Sequence, residues 1–145
     1  MKYDLRLSQI FCRDYLKTLK WYEPLLDAVK RYIKEEGLDL LFAETPELFS
    51  IAGYEFKSSV KPYIVNEKVY MKVGFHLLDD DNVLSEKVCV CLYIDKAGVV
   101  TFSFKDGYPV RTSLASDDGF EDEAYRFHDE ILEPLASQFF ESFSK

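Results

Sequence analysis

The chain has 145 residues, 48% of them apolar, with 26 acidic against 18 basic side chains and a net charge of −8. That is enough apolar material for a folded core without covalent support, and three cysteines, Cys12, Cys89 and Cys91, are too few for a disulfide framework. No run approaches the roughly 20 apolar residues of a membrane helix, and the first residues carry charge where a signal peptide is apolar, so the expectation is one cytoplasmic domain over residues 1–145.

The first helical stretch is expected to start near Ser8 as N-cap. Phe11, Tyr15, Leu19, Tyr22, Leu26, Val29 and Ile33 follow at steps of three and four and form one stripe, widened by Leu16, Leu25 and Tyr32. Pro24 lacks an N–H and clashes with the preceding turn, which predicts two helices meeting near residues 21–23. Gly37 reads as the C′ stop. Thr45-Pro46-Glu47 reads as the start of a short helix closed by Gly53.

From Tyr54 the apolar period becomes two. Strands are predicted over 60–65, 68–78, 86–95 and 99–104, with an edge strand over 108–114. Asn66-Glu67, Lys96-Ala97-Gly98 and Asp106-Gly107 supply the turns, and Pro62 marks an edge. On the longest strand Val69, Met71, Val73, Phe75 and Leu77 face one way and Tyr70, Lys72, Gly74, His76 and Leu78 the other. A last helix carries Phe120, Ala124, Phe127, Ile131, Leu135 and Phe139 on one face, and Pro134 predicts a kink with a freed carbonyl near Glu130. The predicted class is α+β: N-terminal helices, an antiparallel meander of four to five strands, and a C-terminal helix packed on one sheet face.

Charge is uneven. It runs +2 over residues 1–36, −3 over 37–112 and −7 over 113–145. An acidic surface repels phosphate backbones, which argues against direct nucleic-acid binding, and attracts basic proteins. The first functional expectation is therefore a non-catalytic domain that engages a basic partner protein through Asp117, Asp118, Glu121, Asp122, Glu123, Tyr125, Asp129 and Glu130. In size, charge and layout the plan resembles bacterial secretion chaperones, toxin-immunity proteins and phage-encoded inhibitors. That resemblance implies binding without catalysis.

The second expectation is a small enzyme or ligand carrier with a pocket on the mixed sheet face, where His76, Cys89, Cys91, Tyr70 and Tyr93 share a side. Cys89 and Cys91 point the same way on a strand, yet a zinc site wants about four ligands. No cofactor or metal is expected. The six glycines form no phosphate loop. In the acidic turn at 79–82 a calcium loop would need Gly and Glu where Leu84 and Val90 stand. The third expectation is a self-associating subunit, a homodimer joined through the 21–24 break and Phe139, Phe140 and Phe143.

Overall fold

The computed structural model describes residues 4–114 and 124–144. Helix α1 (Leu5–Thr18) is capped by Asp4, whose carboxylate accepts the Leu7 N–H at 2.8 Å. Ser8, expected as the cap, lies inside the helix and gives its hydroxyl to the Asp4 carbonyl. The cap sits four residues early because the aspartate satisfies an orphan amide of the first turn. A 3₁₀ turn over Leu19–Trp21 leads into α2 (Tyr22–Glu35), so Pro24 falls in the first turn of a new helix, as predicted. The tighter turn shifts the phase of the apolar stripe. Leu25 is fully buried, Leu26 only packs at the margin, and Leu16 is 60% exposed, against the expectation that it widens the stripe. Gly37 ends α2 with φ +68°, and the Leu38 and Gly37 amides return to Ile33 and Lys34 at 2.8 and 3.2 Å, the paired bonds of a Schellman motif.

Among the described residues seven antiparallel strands follow in simple sequential order, more than the four to five predicted. They are β1 (Ala43–Glu44), β2 (Phe49–Ile51), β3 (Tyr54–Val65), β4 (Lys68–Leu78), β5 (Leu84–Ile94), β6 (Val99–Lys105) and β7 (Tyr108–Leu114). The additions are the short pieces at the front. Thr45-Pro46-Glu47 starts no helix. Thr45 turns its hydroxyl to the Leu48 amide, and β2 and β3 join through Ala52-Gly53, both at positive φ. Positive φ at both central residues is the two-residue turn that suits the twist of a hairpin, and Asn66-Glu67 repeats it between β3 and β4. Pro62 lies where β3 has lost its pairing with β2, so that half of the strand is an edge among the described residues.

The inner sheet face carries Phe56, Met71, Val73, Phe75, Leu92, Ile94 and Val100. It forms one core with Leu25, Val29 and Ile33 of α2 and with the C-terminal helical segment. That segment comprises α3 (Ala124–Phe127), a π turn (His128–Leu132) and α4 (Glu133–Glu141), and it buries Phe127, Ile131, Leu132, Leu135 and Phe139. Pro134 acts through the π turn rather than through the expected kink. It cannot donate to Glu130, and the Glu133 amide reaches back five residues to His128. The predicted positions of Phe120 and of the loop over 116–119 lie outside the described residues. No helix among the described residues is long and apolar enough to cross a membrane.

On the outer face β6 pairs with β5 only at Tyr93↔Thr101 and Ile94↔Val100. The β6–β7 hairpin then leans toward the β3–β4 turn, where the Asn66 amide donates to the Gly107 carbonyl at 2.9 Å. Phe104 thereby packs on Tyr63, Tyr70 and Tyr93 at ring separations of 5.8, 5.2 and 4.9 Å. One end of the outer face is closed by this aromatic cluster, and the other end is open.

The Schellman turn gives a test of the α2 stop. A methyl at Gly37 meets no atom within 4 Å, so any loss comes from the backbone alone. Gly37→Ala is expected to destabilise the protein by about 1–2 kcal/mol, and Gly37→Asn by less, in urea unfolding with an unchanged slope.

Candidate functional site

The open end of the outer face is a cleft of about 490 Å³ lined by β3, β4 and β5. Register decides what reaches it. Ser59 pairs with Gly74, Lys61 with Lys72, Gly74 with Cys91 and His76 with Cys89. Side chains alternate along a strand, so Ser59, Lys61, Lys72, His76, Cys89 and Cys91 all stand on one side. The sequence placed His76, Cys89 and Cys91 together, and the structure brings them into this cleft. Tyr70 and Tyr93, expected beside them, pack into the aromatic cluster instead, with Tyr70 only 4% exposed.

His76 is held at both ring nitrogens. Nδ1 lies 3.2 Å from the Ser85 carbonyl, which can only accept, so Nδ1 carries the proton. In the neutral ring Nε2 is then the acceptor, facing the Ser59 hydroxyl at 3.1 Å and the Cys89 thiol at 3.8 Å. The Ser85 carbonyl reaches the ring through a β-bulge: pairing runs His76↔Cys89 and then Leu78↔Leu84, so extra β5 residues are set against Leu77. Ser85 Oγ braces that bulge by accepting the Lys87 and Val88 amides, each at 3.2 Å. Gly74 makes room for the ring, since a methyl there would lie 2.3 Å from His76 Nε2 and 3.1 Å from Ser59 Oγ.

The two thiols are 3.7 Å apart and half-buried. A hydrogen bond from Cys89, aided by Lys72 and Lys61, holds the Cys91 thiol down at about 6 against the opposing effect of burial. The same hydrogen bond, with burial, pushes the Cys89 thiol far up. One proton is therefore shared unequally, with Cys91 the thiolate and Cys89 its donor.

Charge in the cleft is unusual for an acidic chain. Lys61 and Lys72 are direct cross-strand partners, and neither has a carboxylate within salt-bridge reach among the described residues. Lys72 lies over the rings of Tyr63 and Tyr93, and Glu86 sits at the rim. Like charges opposed across a strand pair repel.

Sequence reasoning missed Ser59, Lys61, Gly74 and Ser85. Gly74 was the available signal, because an isolated glycine in a long strand marks a close approach. The bulge that aims Ser85 left no trace in the alternation.

Of the acidic docking residues, Asp117, Asp118, Glu121, Asp122 and Glu123 lie outside the described residues, and of Tyr125 only the backbone is described. Asp129 is exposed and Glu130 half-buried on the π turn. Among the described residues only His128, Asp129 and Glu133 bring three potential ligand atoms within 4.8 Å of one another, and Glu133 pairs with His128 at 3.7 Å. At the suggested self-association face Phe139 belongs to the core, while Phe140 and Phe143 are 50% and 57% exposed. Comparison of the chain with protein-family models, curated proteins and solved structures returns no match.

Two outcomes follow from this geometry. Gly74→Ala should displace the His76 ring from Ser59 at a cost of about 1–3 kcal/mol, seen as a change in imidazole ¹⁵N shifts and a lower urea midpoint. Between pH 6 and the ordinary thiol value of 9.0, Cys91 is a thiolate when folded and a thiol when unfolded, so unfolding takes up a proton. Stability should rise with pH across that window and lose this contribution as pH falls through 6. Above 9.0 the raised Cys89 acts with the opposite sign. Cys91→Ser should flatten the rise in urea unfolding measured at several pH values.

Proposed function

We propose that this protein binds a small anionic molecule in the outer-face cleft. The observation that carries the reading is the pair Lys61 and Lys72, opposed across β3 and β4 with no carboxylate within salt-bridge distance of either among the described residues. Opposed like charges repel, and an anion bound beside them relieves the part of that repulsion that the Cys91 thiolate leaves. Ser59 and His76 stand on the cleft wall as hydrogen-bonding groups, and the aromatic cluster closes one end.

This reading is preferred to an acidic docking surface because it rests on side chains gathered in one cleft, whereas the docking surface rests on the charge of the sequence. The inhibitor, immunity-protein and chaperone readings rest on charge and layout alone.

The test is an NMR titration with inorganic phosphate at low ionic strength. Amide shifts should gather at residues 59–61, 72–76 and 89–91 and weaken with added salt. The Lys61→Ala/Lys72→Ala variant should lose them while keeping the fold. Shifts scattered over the surface, or unchanged in the double variant, would refute the site.

A further inference from the structure

The thiols add chemistry that anion binding alone does not use. We infer that Cys89 and Cys91 form a reversible redox dithiol that exchanges with a small anionic disulfide bound in the cleft; the choice of an anionic substrate rests on the reading above, whereas the dithiol itself does not.

Placement is the first support. Both sulfurs open onto the cleft, 3.7 Å apart, with Cys89 3.8 Å from His76 Nε2, the ring nitrogen without a proton. The third cysteine, Cys12, is exposed on α1 and takes no part in this cluster. The hydrogen bond from Cys89, with Lys72 and Lys61, favours the thiolate on Cys91, which makes it the attacking sulfur.

The steps balance. The Cys91 thiolate attacks one sulfur of the small disulfide, forming a mixed disulfide and expelling one thiolate. Cys89 then gives its proton to His76 Nε2, and its sulfur attacks Cys91 Sγ. The Cys91-to-ligand bond breaks and the second small thiolate leaves, taking up a proton from His76. Two electrons and the one proton of Cys89 pass from the protein to the small disulfide, which ends as one thiolate and one thiol.

Strand geometry makes the bridge reversible. Residues two apart on an extended strand have Cα atoms about 6.7 Å apart, at the upper limit for a disulfide, and a stretched bridge is easily reduced. Metal capture is the competing use of the same sulfurs. Two lysines facing the thiols oppose a cation, and Cys89, Cys91 and His76 do not gather within 4.8 Å of one another.

The test uses the full chain carrying Cys12→Ser, reduced and treated with a chelator. It is exposed to oxidised glutathione, which is anionic, and separately to cystamine, which is cationic, with intact mass read over time. The expected product has lost two hydrogens and carries no adduct, and a small thiol reductant restores the starting mass. Cys89→Ser should stop at one glutathionyl adduct on Cys91. Cys91→Ser should react at least about tenfold more slowly, and His76→Gln should accumulate the mixed disulfide.

Oxidised glutathione should outpace cystamine by about tenfold or more, a margin that shrinks in Lys61→Ala/Lys72→Ala. If no variant-sensitive loss of two hydrogens appears while all variants keep their circular dichroism, the dithiol is overturned even if phosphate still binds. If the bridge forms equally fast with both disulfides, the anionic substrate is overturned and the dithiol stands. Retention of stoichiometric zinc through gel filtration, with both thiols protected from oxidation, would overturn the redox role in favour of a metal centre.

Discussion

The pairing register of β4 is the constraint on which the rest of this structure depends. Its eleven residues put Val69, Met71, Val73 and Phe75 against the helices, and Lys72, Gly74 and His76 on the other side. Side chains alternate with a period of two, so a slip of one residue would carry the histidine and lysine into the core and expose the phenylalanine. β3 and β5 are locked to the same register, Ser59 opposite Gly74 and Cys91 opposite it from the other flank. The apolar core therefore fixes the outer-face cluster without touching it. Burial on one face sets the lateral positions of six side chains on the other to within the spacing of paired strands.

Register alone does not orient His76. Two further devices do so, and both are local departures from a regular strand. The bulge after His76 turns the Ser85 carbonyl onto Nδ1, which fixes the tautomer, and Gly74 leaves the volume that the ring occupies. Bulges cost ladder hydrogen bonds and a glycine weakens a strand. Their joint effect is to turn Nε2, as an acceptor, toward a hydroxyl and a thiol. A histidine kept only for packing would not need its second nitrogen presented to a cleft.

Much of this was legible in the sequence where one periodicity dominated. The bounds of β4, the turns at Asn66-Glu67 and Asp106-Gly107, the two N-terminal helices and the buried face of the last helix all follow from spacing and turn chemistry. The failures share a cause, competition between local signals of similar strength. Thr45-Pro46-Glu47 offers a cap and an N1 proline, yet Leu48 and, in β2, Phe49 and Ile51 are each fully buried, and burial outweighs a short helix that has no length to propagate. At Leu25 and Leu26 the sequence could not show that a 3₁₀ turn would rotate the stripe. In the site, the three groups recognised were those with distinctive chemistry. Ser59, Lys61 and Ser85 are ordinary residues whose role comes from cross-strand neighbours and a bulge, and neither is a property of local sequence.

Net charge is a poor guide to this cleft for a physical reason. The chain carries −8, and most of the excess acid lies in the last segment of the sequence. In physiological salt the Debye length is about 8 Å, so exposed charges farther than that contribute little at a given point. What an incoming ligand meets is the nearest charges, weighted by how poorly water screens them. In the cleft those are Lys61 and Lys72 with Glu86 at the rim, set over a low-dielectric sheet that strengthens the local field. A net negative charge opposes polyanions in general, because their many phosphates must approach a large surface at once. A small anion faces no such requirement, because it needs only the few ångströms between two strands. An acidic chain can thus hold a locally cationic cleft, and the same two lysines add to the hydrogen bond from Cys89 that keeps Cys91 ionised.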